Sequence, residues 1–354
     1  MIKYLGSKRR LIPVLRDLLV RSGARNTLDL FTGTTRVARA FKEEGAHVTA
    51  VDTARYSEIF GKCYLEIDGA TIDRGELVST LDRLNSLEGV PGYFTETFAR
   101  SARFFQPHNA ERVDAIRDTI EADYQDSWMY PVLLTSLILA ADRVDSTTGV
   151  QMAYVKQWAP RSFKPLELRI PDLISGPGKA IRGDAVDLAG RLGPFELAYL
   201  DPPYNQHRYF TNYHIWETLV AWDSPEHYGV ACKRLDSRDD QTKSVFNRKR
   251  EMPVALESVI DAVDARLMVL SYNNEAWIEF DALVEMMKRR GLVRALAFDS
   301  KRYVGAQIGV HNQKGERVGR VSHLRNLEYL VIAGEGESVD RLVSGYSDNL
   351  VATS

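Results

Sequence analysis

Asp201, Pro202, Pro203 and Tyr204 follow the apolar run Leu197-Ala-Tyr-Leu200, and these four residues can do chemistry together. The prolines have fixed φ and no backbone N–H, so the turn is stiff and the Pro202 carbonyl stays out of any helix. A carboxylate and a carbonyl at the end of a sheet strand can accept both hydrogens of one amino group, while Tyr204 offers a flat face for stacking. The ligand this implies is a planar ring with an exocyclic amine. Adenine is such a ring, and in a duplex it would have to leave the stack to reach the pocket. The same four letters also make an ordinary proline-rich turn after a core strand.

A buried parallel strand over 197–200 is needed to present that turn. A second strand, turn and helix are predicted earlier: a strand over 27–31, the small-residue turn Thr32-Gly-Thr-Thr35, and an amphipathic helix over 36–44 with Val37, Ala40 and Phe41 on one side. A strand over 47–51 then ends at Asp52, about 20 residues past Gly33, where a nucleotide-binding sheet holds ribose hydroxyls. Gly33 lets a backbone approach a ligand closely. An ordinary α/β unit without a nucleotide has the same pattern.

Around these parts the chain reads as follows. Lys3-Tyr-Leu-Gly-Ser-Lys8 leads into a helix capped by Ser7 and running through Leu11, Leu15 and Leu18. Helices are expected over 54–65, 75–84, 93–103, 109–122 and 128–141, with no strand between them. Phe104, Phe105, His108, Asn109 and Arg112 could lie on DNA, but their spacing fits a helical core better. Residues 143–182 interleave Lys156, Arg161, Lys164, Arg169, Lys179 and Arg182 with Tyr154, Trp158 and Phe163, which suits either phosphate contacts or a solvated loop. Residues 205–214 form a polar, aromatic loop before a helix through Trp216, Leu219 and Trp222. His207 and His214 read as surface or packing residues rather than a general base. A basic loop is expected over 233–250. A buried strand over 266–271 runs into Tyr272-Asn-Asn274, followed by a helix over 276–290. Strands over 292–298 and 327–333 complete the sheet, the latter as an antiparallel closing strand, joined by a basic connection with Lys301, Arg302, Lys314, Arg317, Arg320 and Arg325. The tail after Gly334 reads as a short appendage.

Composition narrows the classes. The 354 residues exceed one usual domain, and 44% hydrophobic content supports a packed core. A net charge of −2 excludes a generally basic coat, so any nucleic-acid contact must be local. Cys63 and Cys232 lack the spacing of a disulfide framework or a zinc site, and a reducing cytoplasm is the expected compartment. The longest apolar run, 131–141, is too short to span a bilayer, and no membrane role is expected.

The tetrapeptide resembles the signature of amino-methyltransferases that use S-adenosylmethionine, and Asp in its first position is similar to the adenine-N6 DNA enzymes. Together with the Lys3–Lys8 opening, the turn at Gly33 and the order of the parts, it resembles the Dam-like, α-type group of DNA adenine-N6 methyltransferases from Met1 to about Ala333. The resemblance implies an α/β, Rossmann-like methyltransferase sheet with an inserted, mainly helical domain. Residues 1–65 would be the cofactor half, 66–175 a target-recognition insertion, 176–335 the catalytic half and 336–354 a tail. S-adenosylmethionine is the implied cofactor, without metal, and DNA, expected to be double-stranded, is the partner. Asp201, Pro202, Pro203 and Tyr204 would be catalytic. Tyr4, Lys8, Asp29, Phe31, Gly33, Asp52 and Asp184 would hold the cofactor, with Asp29 on its ammonium and Asp184 near its adenine. Lys3, Ser271, Tyr272 and Asn273 would line the target-base pocket. Thr35 stands where the family has its last glycine. That departure motivates one alternative, a silent DNA-binding scaffold; methylation of RNA adenine is another.

Overall fold

The computed structural model describes residues 1–154, 157–301 and 325–353. Among them ten strands follow in chain order: β1 (Asn26–Asp29), β2 (His47–Asp52), β3 (Gly178–Arg182), β4 (Phe195–Leu200), β5 (His227–Tyr228), β6 (Lys233–Arg234), β7 (Ala265–Asn273), β8 (Leu292–Lys301), β9 (Arg325–Gly334) and β10 (Leu350–Val351). The chain divides into two compact units built from separate stretches. The first holds Met1–Gly6, Thr32–Asp184 and His207–Ser244; the second holds Ser7–Phe31, Ala185–Gln206 and Val245–Ser354. These limits differ from boundaries drawn at residues 65, 175 and 335, because segments distant in the chain pack together.

The second unit carries a run of six hydrogen-bonded strands in the order β10-β8-β9-β7-β4-β1. β4 is parallel to both β1 and β7, with Asp29 beside Tyr199 and Leu200 beside Leu270. Parallel pairing gathers carboxyl ends at one edge, so Asp29, Asp201 and the Ser271-Tyr-Asn273 end of β7 leave the strands on the same side. Leu197, Ala198, Tyr199 and Leu200 are all buried, which explains an apolar run without alternation.

β9 is antiparallel, as expected, yet it lies between β7 and β8 rather than closing the sheet. The tail is no loose appendage. Its helix Gly336–Val343 buries Val339, Leu342 and Val343 at helical spacing, and β10 pairs with β8. The opening also differs from expectation. Ser7 makes no side-chain cap; Lys8–Arg10 is a single 3-10 turn, and the α-helix starts at Ile12 with Pro13 in its first turn.

The first unit pairs β2 and β3 in parallel, Asp52 beside Arg182, and surrounds them with the helices Arg55–Gly61, Arg74–Asn85, Pro107–Tyr124 and Tyr130–Val144. The Arg55–Gly61 helix continues into a π-turn, Lys62–Glu66. Its last carbonyls are satisfied by Lys42, whose Nζ donates to Tyr64, Leu65 and Ile67; burial lowers that ammonium to about 8. Phe94, Phe98, Phe104 and Phe105 are fully buried in one apolar cluster with these helices. Among the described residues, no helix is long and apolar enough to cross a membrane.

Candidate active site

In the second unit, the residues after β4 meet a lysine and a second carboxylate. Lys8 Nζ stands 3.1 Å from Asp201 Oδ1 and 3.2 Å from Glu328 Oε2, with side-chain exposures of 6%, 18% and 15% respectively. It also lies over the Tyr204 ring, 5.5 Å from the centroid. Burial pushes Asp201 up to about 6, against the pull of Lys8 and with the help of Glu328. Burial works to lower Lys8, but the carboxylates of Asp201 and Glu328 and the neighbouring tyrosines hold it well above the usual lysine value. Burial also raises the Tyr204 phenol, which therefore stays neutral.

Tyr204 is braced edge-on by Tyr272, centroids 5.3 Å apart at 60°. Tyr272 and Ser271 have no exposed surface. Asn273 is engaged at both ends of its amide: Nδ2 donates to Glu328 Oε1 at 3.1 Å and Oδ1 accepts from Glu275 N–H at 2.7 Å. Asp29 is buried at the end of β1, and Phe31 packs edge-on against the buried Phe246, centroids 5.0 Å apart.

The first unit holds the remaining residues expected at the cofactor. Asp52 Oδ2 accepts the Gly33 N–H at 2.8 Å and Oδ1 accepts the Ala54 N–H at 2.9 Å, so this acid ties the turn to the end of β2. Burial raises its pKa, opposed by those backbone donors. The Gly183 N–H donates to the Asp52 carbonyl at 2.9 Å, which sets Asp184 beside the same strand end. Gly33 has φ +53 and Thr35 φ +63. A side chain at Gly33 would run into the Tyr4 ring at 3.1 Å, so glycine here leaves room for Tyr4. Tyr4 itself stacks on both Tyr209 and Tyr213, with centroids at 5.2 and 4.7 Å, and those two rings lie 6.2 Å from each other. Within the first unit, a carboxylate at a strand end beside a turn with left-handed backbone has the chemistry to meet a ribose hydroxyl.

The family model described as D12 class N6 adenine-specific DNA methyltransferase matches residues 4–286. The chain belongs to that family. It is 27% identical over 336 residues to the type II methyltransferase M.NlaIII of Neisseria lactamica, covering 91% of this chain and 98% of that protein. To the type II methyltransferase M.CviAII of Paramecium bursaria Chlorella virus 1 it is 28% identical over 332 residues, covering 89% and 96%. To the modification methylase StsI of Streptococcus sanguinis it is 30% identical over 305 residues, covering 81% of this chain and 46% of that one. The chain thus spans nearly all of two relatives and less than half of the third.

This DNA adenine-N6 methyltransferase has a mixed α/β fold and uses S-adenosylmethionine as methyl donor. DNA is its substrate class, and that gives its cations particular interest. Several that were weighed as DNA contacts are spoken for within the protein. Lys3 pairs with Asp142 at 3.1 Å and Asp145 at 3.2 Å. Arg161 pairs with Asp145, Arg169 with Glu167, and Arg182 with Glu58. In the 233–250 segment, Arg234 is buried between Asp223 and Asp236, Lys243 meets Asp240 and Arg248 meets Glu251. Lys233 and Arg238 lie over the Tyr228 ring, and Phe163 stays 63% exposed. Lys156 and the connection 302–324 lie outside the described residues.

Asn109 is buried, its amide donating to the carbonyls of Ser162 and Lys164, so it braces a loop as part of the core. His214 is fully buried with Nε2 donating to the Gln151 carbonyl, and burial lowers it to about 3, which leaves it neutral at working pH. Glu328 escaped sequence reading. Its signal was present: one acid inside the apolar stretch Leu327-Glu-Tyr-Leu-Val-Ile332, where a solitary charge needs a partner.

Proposed function

We propose that the enzyme methylates an adenine flipped out of double-stranded DNA, bound at the end of β4. The observation that carries this reading is the half-buried Asp201 carboxylate, held on one oxygen by Lys8 and with no partner for Oδ2 among the described residues. Asp201 Oδ2 and the Pro202 carbonyl accept the two N6 hydrogens, Pro203 keeps the turn rigid, and Tyr204 stacks on the ring. S-adenosylmethionine supplies, when bound, a methyl group on a positively charged sulfur. With that donor bound, the methyl would pass from sulfur to the amino nitrogen, and the Asp201 carboxylate would take the extra proton from nitrogen and hand it to water. Positioning, and acceptors aimed at the growing positive charge, provide the acceleration.

In this reading Tyr4, Gly33, Asp52 and Asp184 are the cofactor residues of the first unit. Lys8, expected beside the cofactor, is assigned to the Asp201 side on the strength of its ion pairs. Ser271 and Tyr272 support the base pocket from behind, and Lys3 orders the opening segment through Asp142 and Asp145. Residues 66–175 serve as the target-recognition part. Two unpaired, buried cysteines support work in the reducing cytoplasm.

The test is incubation with tritiated S-adenosylmethionine and matched unmethylated substrates, namely duplex DNA, single strands and RNA, followed by nucleoside analysis. Label in N6-methyladenine from the duplex is expected. Equal or greater label in single strands or RNA would reject the flipping reading.

A further inference from the structure

The group at the end of β4 holds one ammonium between two carboxylates, and the second carboxylate is fixed in place. Glu328 on β9 stands opposite Asn273 on β7 in the antiparallel pairing, and Asn273 Nδ2 holds its Oε1 at 3.1 Å while Oε2 faces Lys8 at 3.2 Å. Lys8 is nearly buried, so water offers its ammonium little alternative. Paired with Lys8 alone, Asp201 would belong to a neutral ion pair, a weak partner for a nitrogen that becomes positive as the N–C bond forms. With Glu328 present, the three ionised groups sum to one negative charge beside that nitrogen, where low dielectric magnifies it.

We propose that Glu328 is a positioning residue for methyl transfer: it draws the Lys8 ammonium partly off Asp201, leaving the Asp201 carboxylate free to act on the amine, and Asn273 holds it in that place. The inference rests on the role assigned to Asp201 above. The titratable and charged groups facing Asp201 among the described residues are Lys8 from the turn at Lys8–Arg10, Glu328 from β9, and Tyr199 and Tyr204 from its own strand and turn. Lys8 favours the ionised carboxylate and Glu328 disfavours it. Loss of the Glu328 charge therefore lowers the Asp201 pKa, and loss of the Lys8 charge raises it.

The experiment measures single-turnover methylation of an unmethylated DNA duplex from pH 5 to 9 for wild type, Glu328→Gln, Lys8→Met and Asp201→Ala, with DNA affinity and thermal melting measured alongside. Glu328→Gln should lower the plateau rate about tenfold, keep DNA affinity within about twofold, and move the acid limb to lower pH. Lys8→Met should move the acid limb to higher pH. An unmoved limb, or limbs moving in the same direction, overturns the inference. The two signs are read separately, so either variant decides if the other does not fold. Turnover retained in Asp201→Ala would remove the role of Asp201 and this inference with it. An inactive Asp201→Ala beside an unmoved Glu328→Gln limb would overturn the inference alone.

Discussion

Two carboxyls, one in each unit, are pushed upward in pKa by burial and yet have different partners. Asp201 rises to about 6 with a lysine on one oxygen. Glu217, on the His214–Ala221 helix of the first unit, rises to about 7, and its Oε1 accepts the Arg55 N–H at 2.8 Å at the start of the Arg55–Gly61 helix. Glu217 is spent on backbone donors and caps a helix. Asp201 has Lys8 on Oδ1 and no partner for Oδ2 among the described residues. A raised pKa thus marks burial in both places, and only the partners say which carboxyl does chemistry. The same contrast separates the charged cluster of Lys8, Asp201 and Glu328 from the ring stack of Tyr4, Tyr209 and Tyr213, which has shape and little charge.

The strongest way to break this comparison is Asp201→Ala. Methyl transfer should fall by about a thousandfold, while S-adenosylmethionine affinity by calorimetry and the melting temperature change little. The mirror experiment is Tyr4→Ala, which removes one ring of the three-ring cluster. It should cost about 3 kcal/mol of stability in denaturant unfolding, an effect on the fold that Asp201→Ala lacks.

Glu217 gives a pH test. Its folded pKa lies above the unfolded value, so the native state binds the proton more tightly, and stability falls as pH rises from about 4.5 to about 7. Melting temperatures from pH 5 to 8 should decline in wild type and decline less in Glu217→Gln. The smallest effect concerns Thr35, a buried β-branched residue at φ +63 whose hydroxyl has no partner among the described residues. Thr35→Gly should add about 1 kcal/mol of stability by relieving the left-handed backbone, and methylation should persist. A loss of stability on that change would mean that packing of the threonine methyl outweighs the strain.

How much of this was legible beforehand depended on range. The strand into Asp-Pro-Pro-Tyr could be read because an apolar run of four and two prolines act locally, through burial and fixed φ. The helices at 74–85 and 107–124 followed their apolar spacing in the same way. The fate of the basic residues was hidden, since whether Arg161 or Arg234 meets a phosphate or an aspartate depends on which acid the fold brings near. The placing of β9 inside the sheet was hidden too, because an antiparallel strand of buried residues suits an interior or a covered edge equally.

The sequence by itself determined the proposed site's chemical inventory: a carboxylate, a rigid carbonyl and an aromatic face at a strand end, with an acid-ended strand after a glycine turn. These are set by neighbours within a few residues. Only the tertiary structure decided that Lys8 meets Asp201 and Glu328, residues far away in the chain, and that Tyr4 fills the space beside Gly33. Charge pairing and close packing act through space, and no local pattern of side chains specifies a contact across 320 residues.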